Sequence, residues 1–189
     1  MSEQINFPAR ATGLAHLAQL AYMMIHHLII MSMPAAGVGP FWGYFFKLPL
    51  LQYRLGLGGM LAGKILILTT TGRKSGLKRQ TPLEYGYDAE RDVYSIAAGW
   101  GGRSDWFRNL KKDPVVHIQM GAKQLTCRAE ILPLGIGAQW VRYLYAVNPF
   151  AGQMFSCWIG ERFDGSDEHV LAVAHWMPLI DLHPIEKLG

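Results

Sequence analysis

From Lys64 onward, β-branched and apolar runs are joined by tight hairpins with few intervening helices, and this spacing limits the fold more than any other feature. KILILTTT over 64–71 reads as a buried strand. Gly72 to Gly76 is a turn, and RQTPLEYGY over 79–87 returns as a second strand, with Pro82 marking an edge or a bulge. DVYSIAAG (92–99) is a third strand. VVHIQM (115–120) and KQLTCRAEIL (123–132) form a hairpin around Gly121-Ala122, and MPLIDLHP (177–184) closes the set. Parallel neighbours need a crossover of about a dozen residues or more. Tight joins therefore predict an α+β chain built on an antiparallel β-barrel, not a parallel α/β sheet. Flanking helices are expected at 104–112, capped by Ser104 or Asp105, at 134–147, and at 166–175, capped by Ser166.

Upstream the pattern changes. Ala11 to Phe46, 36 residues, contains no Asp, Glu, Lys or Arg. GLAHLAQLAYMMIHHLIIMSM over 13–33 is rich in Leu, Ala and Met and predicts a helix that starts at Thr12 and stops before Pro34. At about 100° per residue, His16, Gln19, His26 and His27 share one narrow stripe. Its length of about 30 Å matches a bilayer core, but two adjacent histidines and a glutamine count against a transmembrane span. A single preceding cation, Arg10, and the poor cleavage site Ala35-Ala36-Gly37 count against a signal peptide. Two readings stay open: the helix lies on a membrane surface or packs on the protein itself. The aromatic run from Phe41 to Phe46, followed by Lys47, fits both. The chain is thus divided into an apolar helical segment, 1–47, and a barrel domain, 48–189.

The charge is localised. Eighteen Lys plus Arg face 14 Asp plus Glu, for a net charge of +4, and Arg73, Lys74, Lys78 and Arg79 alone account for the excess. So small an excess argues against a nucleic-acid partner. Cys127 and Cys157 are the only cysteines, which excludes a disulfide scaffold or a four-cysteine zinc site. The seven histidines show no ligand spacing, and there is no Gly-x-Ser-x-Gly. No metal site and no catalytic side chain is assigned. A cation-rich pocket lacking both points to chemistry carried by a cofactor.

Two segments carry that expectation. Residues 68–83 form a strand, a glycine-bounded turn with an Arg73-Lys74-Ser75 tip, and a return strand with Arg79 and Thr81. Arg offers a planar fork, Lys a point charge, and turn amides an anion nest. A strand follows where a Walker loop needs a helix, and Leu61 breaks a dinucleotide fingerprint begun at Gly56. A solvated hairpin tip is the competing reading. Residues 97–110 end a strand in Gly99-Trp100-Gly101-Gly102, where glycine permits close approach to a flat ligand. Trp100 and Trp106 supply aromatic walls, although Phe107 and Leu110 read as core anchors.

These segments resemble the deazaflavin-dependent nitroreductase family, also described as coenzyme F-420-dependent quinone reductases, within the split β-barrel flavin-reductase superfamily. The matching residues run from Tyr53 to Gly58, from Leu68 to Gly76, then Arg79, Thr81-Pro82-Leu83, Gly99 to Gly102, Trp106, Asn109-Leu110 and Asp113-Pro114. The resemblance implies a split antiparallel β-barrel that binds coenzyme F-420, an 8-hydroxy-5-deazaflavin, with FMN or haem as lesser alternatives. It implies that Arg73, Lys74 and Arg79 hold the phosphate and polyglutamate tail, and that Ser75, Thr81, Pro82 and Asn109 also bind the cofactor. Backbone groups of Ala98, Gly99, Trp100 and Gly101 and the side of Trp106 would line the ring.

The implied reaction is hydride transfer to a lipophilic acceptor such as a quinone or activated alkene. Members that reduce nitro compounds carry Ser and Lys where this chain has Gly99 and Trp100, and Trp100, Phe150 and Phe155 suggest a more apolar acceptor pocket. The resemblance further implies a cytoplasmic protein, peripheral on the inner membrane face through residues 13–46, and a homodimer. A non-enzymatic lipid- or fatty-acid-binding barrel is the alternative outside enzyme chemistry.

Overall fold

The computed structural model describes residues 13–31, 47–55, 64–99 and 102–188. In chain order the first elements are α1 (Gly13–Met31), α2 (Leu48–Arg54), β1 (Ile65–Thr71), β2 (Lys78–Glu84), β3 (Gly86–Asp88), β4 (Val93–Ala97) and α3 (Asp105–Lys112). Then come β5 (Val115–Met120), β6 (Lys123–Ile131), α4 (Leu134–Val147), α5 (Ala151–Ile159), α6 (Asp167–Trp176) and β7 (Leu179–Leu188). The chain divides into two compact units, Pro40–Leu132 with Pro178–Gly189, and Met1–Gly39 with Pro133–Met177. The sequence suggests one cut at residue 47. In the structure the helices of 133–177 instead group with the N-terminal segment.

In the first unit every paired strand is antiparallel, in the order β2-β1-β5-β6-β7-β4-β3. The two edge strands, β2 and β3, are separated in the chain by Tyr85 alone. One residue cannot cross a flat seven-stranded sheet, so the sheet curls until its edges approach. This is the antiparallel barrel that the tight joins predict, in the split form that the resemblance implies. Leu83 and Tyr85, at that seam, pack on the barrel core. Period-two alternation sends Leu66 and Leu68, Val116 and Ile118, Leu125 and Cys127, and Ile180 and Leu182 inward. Trp106, Phe107 and Leu110 of α3 join the same cluster. Pro82 sits on β2, an edge strand, where its missing N–H leaves the pairing intact.

The α2 helix, absent from the sequence reading, has a proline in its first turn and carries no amphipathic repeat long enough to detect. Tyr53 fixes it in place. Its hydroxyl donates to the Ile65 carbonyl at 2.8 Å and accepts from the Gly121 amide at 3.2 Å.

The second unit is helical. Val141, Met154, Phe155, Phe163 and Val173 form its core. Ser166 caps α6, its hydroxyl accepting from the His169 amide at 3.3 Å, as its sequence position predicts. The predicted polar stripe on α1 splits: His16 is exposed, whereas His27 is buried and stacks on Phe150 at 4.9 Å. Among the described residues, no helix is long and apolar enough to cross a membrane. The aromatic run at 41–46 lies outside the described residues.

Candidate anion-binding site

The β1–β2 hairpin tip is closed by its own backbone. The Gly72 amide donates to the Leu77 carbonyl at 2.8 Å, and the Gly76 amide donates to the Gly72 carbonyl at 2.8 Å. Gly76 has φ +69°, a left-handed conformation that glycine tolerates at little cost. A Cβ on Gly72 would stand 2.8 Å from the Ser75 hydroxyl and 3.1 Å from the Leu77 carbonyl. The Leu77 amide donates to the Ser75 hydroxyl at 3.4 Å. The turn amides that the sequence offers as an anion nest are thus engaged at Gly72, Gly76 and Leu77.

The Arg73 amide is engaged as well. It donates to Asn109 Oδ1 at 3.1 Å, and the Arg73 guanidinium reaches the same oxygen through Nη1 at 3.0 Å. Asn109 is buried and its Nδ2 donates to the Thr70 hydroxyl at 3.3 Å. Arg73 Nη2 pairs with Asp105 at 2.8 Å, and Lys112 donates to the Arg73 carbonyl at 2.9 Å. Arg73 therefore ties the hairpin tip to α3 from four sides. Asn109, which the resemblance places among the cofactor-binding residues, is the buried clamp of that joint.

Around this joint opens a groove of about 1040 Å³ lined from the barrel unit alone. Leu50, Leu51 and Trp106 supply apolar surface, and Lys47, Lys74, Lys78 and Arg79 supply positive charge. Lys74, Lys78 and Arg79 are exposed, with Lys78 donating to the Thr71 hydroxyl at 3.3 Å. Clustered cations on low-dielectric walls concentrate an attractive field for anions.

Of the site residues expected from the sequence, Arg73, Lys74, Ser75, Arg79, Thr81, Trp106 and Asn109 come together on this groove. Pro82 follows Thr81 on β2 but does not line it. Ala98 is fully buried, and its amide donates to the Pro178 carbonyl at 2.8 Å, so that amide has no bond left for a ligand. Gly99 is partly buried beside it, and Trp100 and Gly101 lie outside the described residues. Phe155 is fully buried in the helical unit's core. This corrects its expected place in an acceptor pocket, because aromatic packing with Trp158 and Phe163 consumes its faces. Lys47, Lys78, Gln80 and Asp105 line the groove without having been singled out as ligands. The cation count at 73–79 already pointed to Lys78. Nothing local pointed to Lys47 or Asp105.

Elsewhere in the barrel unit, burial pushes the Cys127 thiol up to about 12, so it is an inert core group. Among the described residues, no group of histidines, cysteines and carboxylates could hold a metal.

An F420H(2)-dependent quinone reductase of Mycobacterium tuberculosis is 43% identical to this chain over 68 residues, which is 34% of this chain and 44% of that protein. The chain thus matches under half the length of that relative. A solved F420-H2 dependent reductase (FDR-A) is 25% identical and covers 64% of this chain and 94% of its own, with a TM-score of 0.44. The family model described as F420H(2)-dependent quinone reductase matches residues 52–154, more than half of the chain, including the hairpin tip and the α3 clamp, and the chain belongs to that family.

Proposed function

We propose that the protein is a reductase that binds reduced coenzyme F-420 in the cationic groove and passes a hydride to a lipophilic acceptor such as a quinone. The observation that carries this reading is the two-sided lining of the groove, with Leu50, Leu51 and Trp106 on the apolar part and Lys74, Lys78 and Arg79 on the cationic part. That composition fits a ligand with a flat ring and a polyanionic tail. Family membership supports the same reading. Haem fits less well: among the described lining residues there is no histidine, cysteine or methionine to ligate iron.

When bound, the reduced deazaflavin supplies the hydride. The chain's own residues orient and neutralise. Lys74, Lys78 and Arg79 hold the phosphate and carboxylates by charge, and the Ser75 and Thr81 hydroxyls add hydrogen bonds. Trp106, mostly buried, would line the ring. The hairpin–α3 joint keeps these groups in one geometry, which is the protein's main contribution when the cofactor carries the chemistry.

The exposed Leu17, Met24, Ile25 and Leu28 of α1 support contact with a membrane surface, where the enzyme would meet its acceptor. Fluorescence titration of the purified protein with oxidised coenzyme F-420 tests the cofactor. Saturable binding is expected, weakened about tenfold or more by Lys74→Ala with Arg79→Ala, since charged hydrogen bonds contribute about 1.5–3 kcal/mol each. No saturable binding, or equal binding by the variant, overturns the reading.

A further inference from the structure

Asp105 is the one carboxylate among the described residues that line the groove. It stands at the first position of α3, where the helix dipole favours an anion, and its side chain is 82% exposed. One oxygen lies 2.8 Å from Arg73 Nη2, while the Arg73 side chain is only 24% exposed. The neutral amide Asn109 already fixes Arg73, holding both its backbone N–H and its Nη1. Asp105 is thus not needed to position the guanidinium. Its effect is to cancel the charge of a cation that faces the groove.

We infer that Asp105 is a specificity-determining residue, a built-in anion that occupies Arg73 until a ligand of higher negative charge displaces it. Arg73 stays in place on Asn109, and the exposed Asp105 side chain is free to swing towards solvent. Arg73 then becomes a further cation for the ligand. A phosphate or polycarboxylate outcompetes a single carboxylate, whereas a monocarboxylate gains nothing over Asp105. The groove therefore selects multiply charged anions. This rests on the groove being an anion site, as proposed above, and it deepens that reading without depending on the deazaflavin ring.

The test is a double-mutant cycle on Asp105 and Arg73, read by calorimetric titration with tripolyphosphate and by fluorescence titration with oxidised coenzyme F-420. Asp105→Asn is expected to bind tripolyphosphate about threefold to fivefold more tightly than wild type, the size of a released surface ion pair. Asp105→Glu is expected to stay at the wild-type value. In an Arg73→Gln background, Asp105→Asn is expected to change nothing. A gain that persists without Arg73 means the carboxylate acts only through the general field, and that overturns the inference, as does no gain in Asp105→Asn. Should Asp105→Asn lose its circular-dichroism signature, Asp105→Gln, an uncharged good helix former, carries the same test. Tripolyphosphate binding with the expected cycle but no coenzyme F-420 binding would sink the cofactor reading and leave the role of Asp105 standing.

Discussion

At the scale of single residues, two carboxylates show how partners decide chemistry. Asp88 accepts from Arg91 Nε at 2.7 Å and from the Arg91 and Glu90 amides at 3.1 and 3.0 Å. The Arg91 hydrogen bond, ahead of the backbone ones, holds its carboxyl below the ordinary value of 3.8. Arg91 also reaches the buried Asp181 at 3.2 Å, and Ser95 donates to Asp181 at 2.5 Å. A depressed folded value means that stabilisation is present above the ordinary value and is lost as pH falls through the folded one. Asp88→Asn should therefore lower the melting temperature near neutral pH, with the gap to wild type closing from about pH 4 downward. Thermal scans across that range check it. A gap that stays constant with pH would show that the carboxylate charge contributes nothing. Lys123 runs in the opposite sense: donating to the Tyr94 hydroxyl at 2.7 Å raises its value, so its contribution fades only in strong alkali.

At the scale of elements, the hairpin–α3 joint is the feature on which the site depends. Asn109 makes three hydrogen bonds across it, to the Arg73 amide, Arg73 Nη1 and the buried Thr70 hydroxyl. Asn109→Ala leaves the Thr70 hydroxyl and the Arg73 amide short of partners, at a cost of about 2–4 kcal/mol. Urea denaturation should show that loss, and the same variant should bind oxidised coenzyme F-420 more weakly because the tip is no longer held. Loss of stability with unchanged binding would make the clamp purely structural. Little of this joint was readable beforehand. The Lys111-Lys112 end of α3 and the β5–β6 turn at Gly121-Ala122 follow from local charge and periodicity, whereas Ser104 stands at the start of α3 with no side-chain cap hydrogen bond. By contrast α5 was not foreseen: it begins at Phe150 with no side-chain cap, just after Asn148-Pro149, and ends on Gly160 in a left-handed conformation. A helix without a start signal is visible only through the core it packs.

At the scale of the whole molecule, the barrel is discontinuous in sequence. β7 comes from Leu179–Leu188, beyond the helical insertion, yet it sits between β6 and β4. A chain ended at Met177 lacks this central strand, leaves β4 and β6 with unpaired edges and strips Ile180 and Leu182 from the core. That truncation is expected to abolish cooperative unfolding and to aggregate, whereas wild type melts as a folded protein. Circular dichroism with thermal scanning separates the two, and a truncated chain that still melts cooperatively would contradict the topology.

The segment 79–87, expected as one strand, is two, β2 and β3, parted at Tyr85, which packs on the barrel core. Taken alone, the sequence determined the other strands, their hairpin turns and the address of the net charge. Each depends on neighbours within a few residues: β-branched runs, glycine turns and a block of cations. What the tertiary structure decided was how those cations are used. Arg73 and Asn109 lie 36 residues apart in the chain, and their contact exists only because α3 packs beside the hairpin tip. That packing engages the Arg73 amide and pairs Arg73 with Asp105. It leaves Lys74, Lys78 and Arg79 exposed on the groove, with Lys47 completing its cationic lining. Charge is a property of composition, but its availability to a ligand is set by which long-range partners reach it first.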